Sequence, residues 1–208
     1  MLAAKQGRTR ARRDPGKTRE ALLEAAFDNM YRSGFQGTDL DSILETAGVT
    51  KGALYHHFQN KEALGYAVVD EVIGQITQER WAQPLEGAED PIGRLIAIVQ
   101  STSLLQEHVE RGCPLNNLAQ EMSPLDEGFR TRIAAQFNAW RGAIATALRS
   151  GQERGLVRGG VDTLEAATFL VATYEGYISL AKNAQDFRVL QSGKKIMVRY
   201  LETLRAPA

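Results

Sequence analysis

Residues 38–64, TDLDSILETAGVTKGALYHHFQNKEAL, decide how this chain is read. The stretch encodes two short helices joined by a tight turn and running into a third. Thr38 is placed to start the first as its N-cap, with Asp41 at the third helical position as a short-acid capping box. Leu40, Ile43, Leu44 and Ala47 make its inner face. Gly48 permits the left-handed turn, and Val49 plugs the space between the helices. Thr50 caps the second helix, which turns Ala53 or Leu54 and His57 or Phe58 inward and leaves Lys51, Tyr55 and His56 outside. Asn60 caps the third. A buried turn backing a polar, partly basic helix is the arrangement that lets a helix enter the major groove of DNA.

Upstream, Leu22, Leu23, Ala26, Phe27 and Met30 form a helical stripe from Thr18 to about Ser33, with Arg19, Glu20 and Glu24 outside it. Gly34 ends that helix and Phe35 turns back into the core. Before it, Lys5, Arg8, Arg10, Arg12, Arg13, Lys17 and Arg19 stand against Asp14 alone. The basic arm over residues 1–15 reads either as a disordered solubilising tail or as a phosphate or minor-groove contact beside the groove-reading helix.

Downstream, Asn60 opens a long helix through Ala63, Leu64, Ala67, Val68 and Glu71–Val72 towards Trp81. Asp90-Pro91 starts another, carrying Leu95, Ile96, Val99, Leu104 and Leu105, which Arg111-Gly112-Cys113-Pro114 breaks. A short helix reaches Met122, and Ser123-Pro124 starts the next. Phe129, Ile133, Phe137, Trp140, Ile144 and Leu148 mark a long helix to about Arg154. The segment from Thr163 to about Gln185 is apolar over much of its circumference, so it is buried on more than one side, in the core or in a subunit interface. A last helix spans roughly Phe187 to Leu204.

The 208 residues, 43% hydrophobic and 24% charged, suffice for one large or two small domains, and the scarcity of period-2 runs argues for an all-α fold. No apolar run approaches the ~18 residues a membrane span needs, and no apolar segment follows the basic N-terminus as a secretory signal would require. The single cysteine, Cys113, rules out an intramolecular disulfide framework and suits a reducing cytoplasm. With only His56, His57 and His108 beside it, there is no metal-ligand spacing, and no cofactor motif is present. A cysteine enzyme would need a base and a third group near Cys113, which the sequence does not suggest.

The matched pattern, a Thr entering the second helix, AGVTKGALYHHFQNKEAL, and Gly34-Phe35 at the expected distance before it, resembles the N-terminal signature of the TetR family of one-component transcriptional regulators. GLVRGGVDTLEAATFLVATYEGYISLAK resembles the family's eighth-helix region, so the likeness spans Thr18 to Leu204. Leu44 departs from the small residue usual there, a change of packing. The resemblance implies about nine helices: a three-helix helix-turn-helix DNA-binding domain over residues 16–61, and a larger helical effector-binding and dimerisation domain over 62–208. It implies a repressor acting as a homodimer through the last two helices, on a palindromic operator that a small-molecule effector makes it release. Carried over, Thr38, Thr50, Tyr55 and Lys61 contact phosphates, while Lys51, Gly52, Ala53 and His56 face base edges or nearby backbone, with Lys51 the direct reader. A non-DNA-binding helical adaptor is the competing class, against which Tyr55, Lys61 and the basic arm stand.

The effector side is less explicit. RGCPLNNLAQEMSPLDEGFR resembles one branch of the family, some members of which sense electrophiles through a cysteine in this neighbourhood. A helix N-terminus and Arg111 would lower the pKa of Cys113 for such a role; the alternative is a small core residue. His108, Cys113, Asn117, Met122, Phe137, Trp140, Tyr174 and Tyr177 are candidate pocket residues that helical spacing alone does not separate from plain core. With Asn116, Asn117 and Glu175 as the few polar anchors, such a pocket suits a small, mostly apolar molecule.

Overall fold

The computed structural model describes residues 15–101 and 106–207, without the side chains at 106–108. The arm at 1–14, Leu104 and Leu105, and the His108 side chain lie outside the described residues. The described chain is helical throughout. Pro15–Ser33 (α1), Leu40–Ala47 (α2) and Lys51–His57 (α3) form the N-terminal bundle. Residues 61–85 (α4) lead away from it to Pro91–Ser101 (α5), Gln106–Arg111 (α6) and Pro114–Met122 (α7). Glu127–Glu153 (α8), Thr163–Ala184 (α9) and Phe187–Thr203 (α10) complete the chain. No helix among the described residues is long and apolar enough to cross a membrane.

Local chemistry explains most boundaries. Gly48 adopts φ 62°, its N–H donates to the Glu45 carbonyl, and the Val49 N–H reaches the Leu44 carbonyl, closing α2 as a left-handed cap does. The Thr50 and Asn60 side chains accept from the N–H groups of Ala53 and Ala63 and start α3 and α4. One expected cap is wrong. Asp39, not Thr38, caps α2 by accepting from the Ser42 N–H. Gly34, at φ 75°, folds the chain back so that Thr38 is 6% exposed and its hydroxyl donates to the Gly34 carbonyl. Similarly, Asp126 rather than Ser123-Pro124 starts α8, accepting from the Phe129 N–H.

Helix α4 departs from regular geometry. It is α-helical at Lys61–Ala67, Gly74–Thr77 and Gln83–Leu85, with wide π turns at Val68–Ile73 and Gln78–Ala82. Each wide turn adds a residue and rotates the helix beyond it. The buried side becomes Leu64, Val68, Val69, Ile73, Trp81 and Leu85, while Glu71 is exposed and Val72 half-buried, against the regular stripe expected.

Two cores form, and their division is not the division of the chain. The first joins Leu22, Met30, Ile43, Leu54, Phe58 and Leu64 to Leu115, Leu118, Met122, Phe129 and Ile133 from α7 and α8. The second is built on Trp81, α5 and the α8–α10 layers, through residues such as Leu95, Trp140, Ile144, Leu170 and Leu201. Gly65 permits the first junction. A Cβ there would meet Phe129 and Phe35 at 2.7 Å, and those two rings pack edge-on with centroids 4.5 Å apart.

Candidate functional site

Helix α3 buries Leu54 and the Phe58 that follows it, which fixes its orientation. Its opposite side presents Thr50, Lys51, Gly52, Tyr55 and His56 to solvent, with Ala53 half-buried; Tyr55 is 47% exposed. Added carbon at Gly52 would meet only the Thr50 hydroxyl at 4.0 Å, so backbone stands open there. The His56 ring packs edge-on against half-buried His57. Lys61 sits behind this face, its Nζ donating to the Gln36 carbonyl at 3.4 Å and lying 4.8 Å from the Phe35 ring centre. Thr38 is not on this surface.

Hydrogen bonds among the described residues tie the bundle, and α4 beside it, to the rest of the chain. Arg19 on α1 donates to both Glu71 oxygens on α4 at 2.5 and 2.6 Å. Glu121 on α7 accepts from the backbone N–H groups of Phe35 and Gln36, each at 2.8 Å. The Tyr31 hydroxyl of α1 donates to the Gly112 carbonyl at 2.7 Å. The Tyr66 hydroxyl of α4 donates to the Asp126 carboxylate at 2.9 Å.

Between α1 and the C-terminal helices lies a cavity of about 230 Å³. Phe27 and Tyr31 of α1, stacked with centroids 5.8 Å apart, form one wall. Ile73, Thr77, Arg80 and Trp81 of α4 form another. Cys113, Trp140, Tyr174 and Glu175 also line it. Trp81, Trp140 and Tyr174 pack on each other with centroids 4.9–5.6 Å apart.

Burial pushes the Glu175 carboxyl up to about 7, with Cys113 and the Arg80 charge acting the other way. Apart from the Cys113 thiol its oxygens have no hydrogen-bond partner, and the Tyr174 hydroxyl and Trp140 Nε1 are buried without one. Burial, and then the Glu175 carboxyl, raise the Cys113 thiol well above the ordinary range. That reverses the expected lowering: Arg111 lies over the Tyr31 ring instead, and the thiol stays protonated.

Of the eight expected pocket residues, Cys113, Trp140 and Tyr174 meet in this cavity. Asn117 instead donates to the Arg111 carbonyl and accepts from Lys182, bracing the turn before α7. Met122 is in the first core, Phe137 stacks beside Trp140, and Tyr177 packs over Gly193 of α10. Sequence reasoning missed Tyr31, Arg80 and Trp81 as pocket residues. The available signal was an aromatic pair, Phe27 and Tyr31, four residues apart at the edge of the α1 stripe.

Comparison with known proteins accords with this arrangement. Residues 22–68 match the profile described as bacterial regulatory proteins, tetR family, and residues 91–197 match the tetracyclin repressor-like C-terminal domain. The chain is 31% identical over 177 residues to the HTH-type transcriptional repressor NemR of Escherichia coli, covering 84% of this chain and 89% of that protein. It is 27% identical over 183 residues to the transcriptional regulator AcuR of Cereibacter sphaeroides, covering 86% and 82%. A TetR transcriptional regulator from Chloroflexus aurantiacus superposes with a TM-score of 0.81 at 29% identity, covering 93% of this chain and 98% of that one.

Proposed function

The chain belongs to the TetR family of transcriptional regulators, and from that premise we propose that α3 reads a palindromic operator in the major groove and that the cavity beneath α1 receives the effector that releases it. The observation that carries this reading is the position of the cavity. Phe27 and Tyr31 of the DNA-binding bundle form one of its walls, so a molecule entering it pushes on α1 directly.

Lys51 and His56 face the bases, Gly52 and Ala53 let the backbone approach, and Thr50, Tyr55 and Lys61 hold phosphates. The exposed apolar side chains Phe169 and Leu180 on α9 and Ile196 on α10 support a homodimer through these two helices. Such a dimer sets two copies of α3 about 34–36 Å apart. Effector binding then changes that separation, a coupling of roughly 1–3 kcal/mol between the two sites. The protein acts as a repressor.

The direct test is binding to the DNA upstream of its own gene. Sequence-preferring binding that weakens steeply with salt is expected; equal affinity for that fragment and for random duplex would sink the reading. A second reading, electrophile sensing through Cys113, has one observation in its favour: the thiol faces the cavity beside Glu175. It requires that Cys113→Ser abolish release by alkylating compounds, and unchanged release in that variant would remove it.

A further inference from the structure

We propose that the cavity walled by α1, α4, α8 and α9 binds a small carboxylate with an apolar body, one ring or a short chain, whose charge is taken by Arg80 and whose oxygens accept from the Tyr174 hydroxyl and Trp140 Nε1. The proposal rests on the effector reading above and names the chemistry of its ligand. Trp140 Nε1 and the Tyr174 hydroxyl are buried without partners, the Glu175 carboxyl has only the Cys113 thiol beside it, and all three residues line this one cavity. Buried polar groups in native proteins find partners, so a cluster of unmet ones around a cavity indicates a molecule that meets them. An indole N–H and a guanidinium only donate, and a phenol hydroxyl donates readily. Arg80 forms no ion pair or hydrogen bond among the described residues, and its guanidinium lies 5.7 Å from the Tyr174 ring centre.

The donors therefore outnumber the acceptors. Glu175 is the one carboxyl in the lining; Arg80 from α4, Cys113 from the turn before α7 and Tyr174 from α9 act on it, while Tyr31 from α1 and Trp140 from α8 line the same cavity. In its protonated form Glu175 is a further donor, and Arg80 carries the cavity's formal charge. A cation would meet Arg80; a carboxylate satisfies it. The size agrees. A cavity of about 150 Å³ accepts benzene, and 230 Å³ leaves room for a ring with a carboxylate attached.

The test uses the full chain without DNA, so its outcome is separate from operator binding. Trp81 and Trp140, the two tryptophans of the chain, both line the cavity, and their fluorescence reports occupancy. Benzoate is titrated beside benzyl alcohol and benzylamine, the neutral and cationic counterparts of similar shape. Benzoate is expected to bind saturably and at least tenfold more tightly than either at pH 6. Its affinity falls about tenfold by pH 8 as Glu175 loses its proton near pH 7 and repels the ligand. Glu175→Gln keeps a neutral hydrogen-bonding group and abolishes that pH dependence. Arg80→Met, checked for an unchanged melting transition, weakens benzoate at least tenfold, and Arg80→Lys, which keeps the charge if methionine disturbs folding, restores part of it. Absence of saturable benzoate binding, benzylamine binding as tightly as benzoate, or a pH profile untouched in Glu175→Gln would overturn the assignment.

Discussion

Arg19 and Glu71 join the first helix of the DNA-binding bundle to the helix that leaves it, through two parallel hydrogen bonds of 2.5 and 2.6 Å. The guanidinium also lies 5.3 Å from the Phe58 ring centre, so one side chain touches α1, α4 and the end of α3. The pair holds the Glu71 carboxyl below its ordinary range. Both side chains remain over a third exposed, which screens the attraction. Glu71→Gln is expected to lower unfolding free energy by only about 0.5–1 kcal/mol at pH 7. Because the folded-state pKa is depressed, the contribution is present above the unfolded carboxyl's pKa and is lost as pH falls through the folded value. Urea titrations of wild type and variant should therefore converge in acid; a gap that persisted there would point to packing rather than charge.

Lys51 and Lys61 should separate cleanly on DNA. Lys51→Ala removes the proposed base-edge donor and should cost about 1–3 kcal/mol on the operator with little effect on random duplex. Lys61→Ala should weaken binding to all sequences and reduce the salt slope by about one. Fluorescence anisotropy across a salt series distinguishes them, and identical behaviour of the two variants would contradict the assignment.

Glu121 is the tie through which α7 holds the loop after α1. In Glu121→Gln the amide oxygen accepts one of the Phe35 and Gln36 N–H groups and the NH₂ faces the other. A stability loss of roughly 1.5 kcal/mol is expected, the lower range for hydrogen bonds to a charged group. Operator affinity without effector should change less than the effector-driven loss of it. Measuring both in one titration decides whether Glu121 transmits or merely braces.

Phe169 on α9 leaves about half its surface to solvent while its ring packs 4.5 Å, centre to centre, from that of Tyr200 on α10. Leu180 is 59% exposed on the same helix. Leu180→Asp should place a charge in the proposed dimer interface and give monomers in sedimentation velocity, with loss of operator binding but retention of helix content. A dimer that persisted would move the interface elsewhere.

Gly65→Ala is expected to destabilise by about 1–3 kcal/mol in thermal or urea unfolding, as overpacking does. The added carbon would press on Phe35 and Phe129 where α4, α8 and the loop after α1 meet.

How much of the fold and the site was legible in the sequence depends on the range of the forces involved. Gly48, Thr50 and Asn60 act on backbone groups a few residues away, so the turn and the starts of α3 and α4 were readable. Thr38 was misplaced because two acceptors, Thr38 and Asp39, compete for one cap, and the fold of the Gly34 turn decides between them. The wide turns of α4 leave no mark on a hydrophobic pattern read at 3.6 residues per turn. Pocket residues were the hardest. Tyr177 and Tyr174 look equivalent on α9, yet one packs over Gly193 and the other faces Arg80. The sign of the Cys113 shift is set by its burial and then by Glu175, a neighbour only in space.

Phe27 and Tyr31 stand on the same helix that sends Leu22, Leu23 and Met30 into the DNA-binding core. This shared helix makes the two functions unequal targets for evolution. On the proposed reading, a substitution at Phe27 or Tyr31 that admits a new effector also disturbs operator recognition, so selection on one trait is dragged by the other. Glu175 and Ile178 on α9 carry no such burden. Descendants of this gene that acquire new signals are expected to have done so by changing α9, with α1 held still.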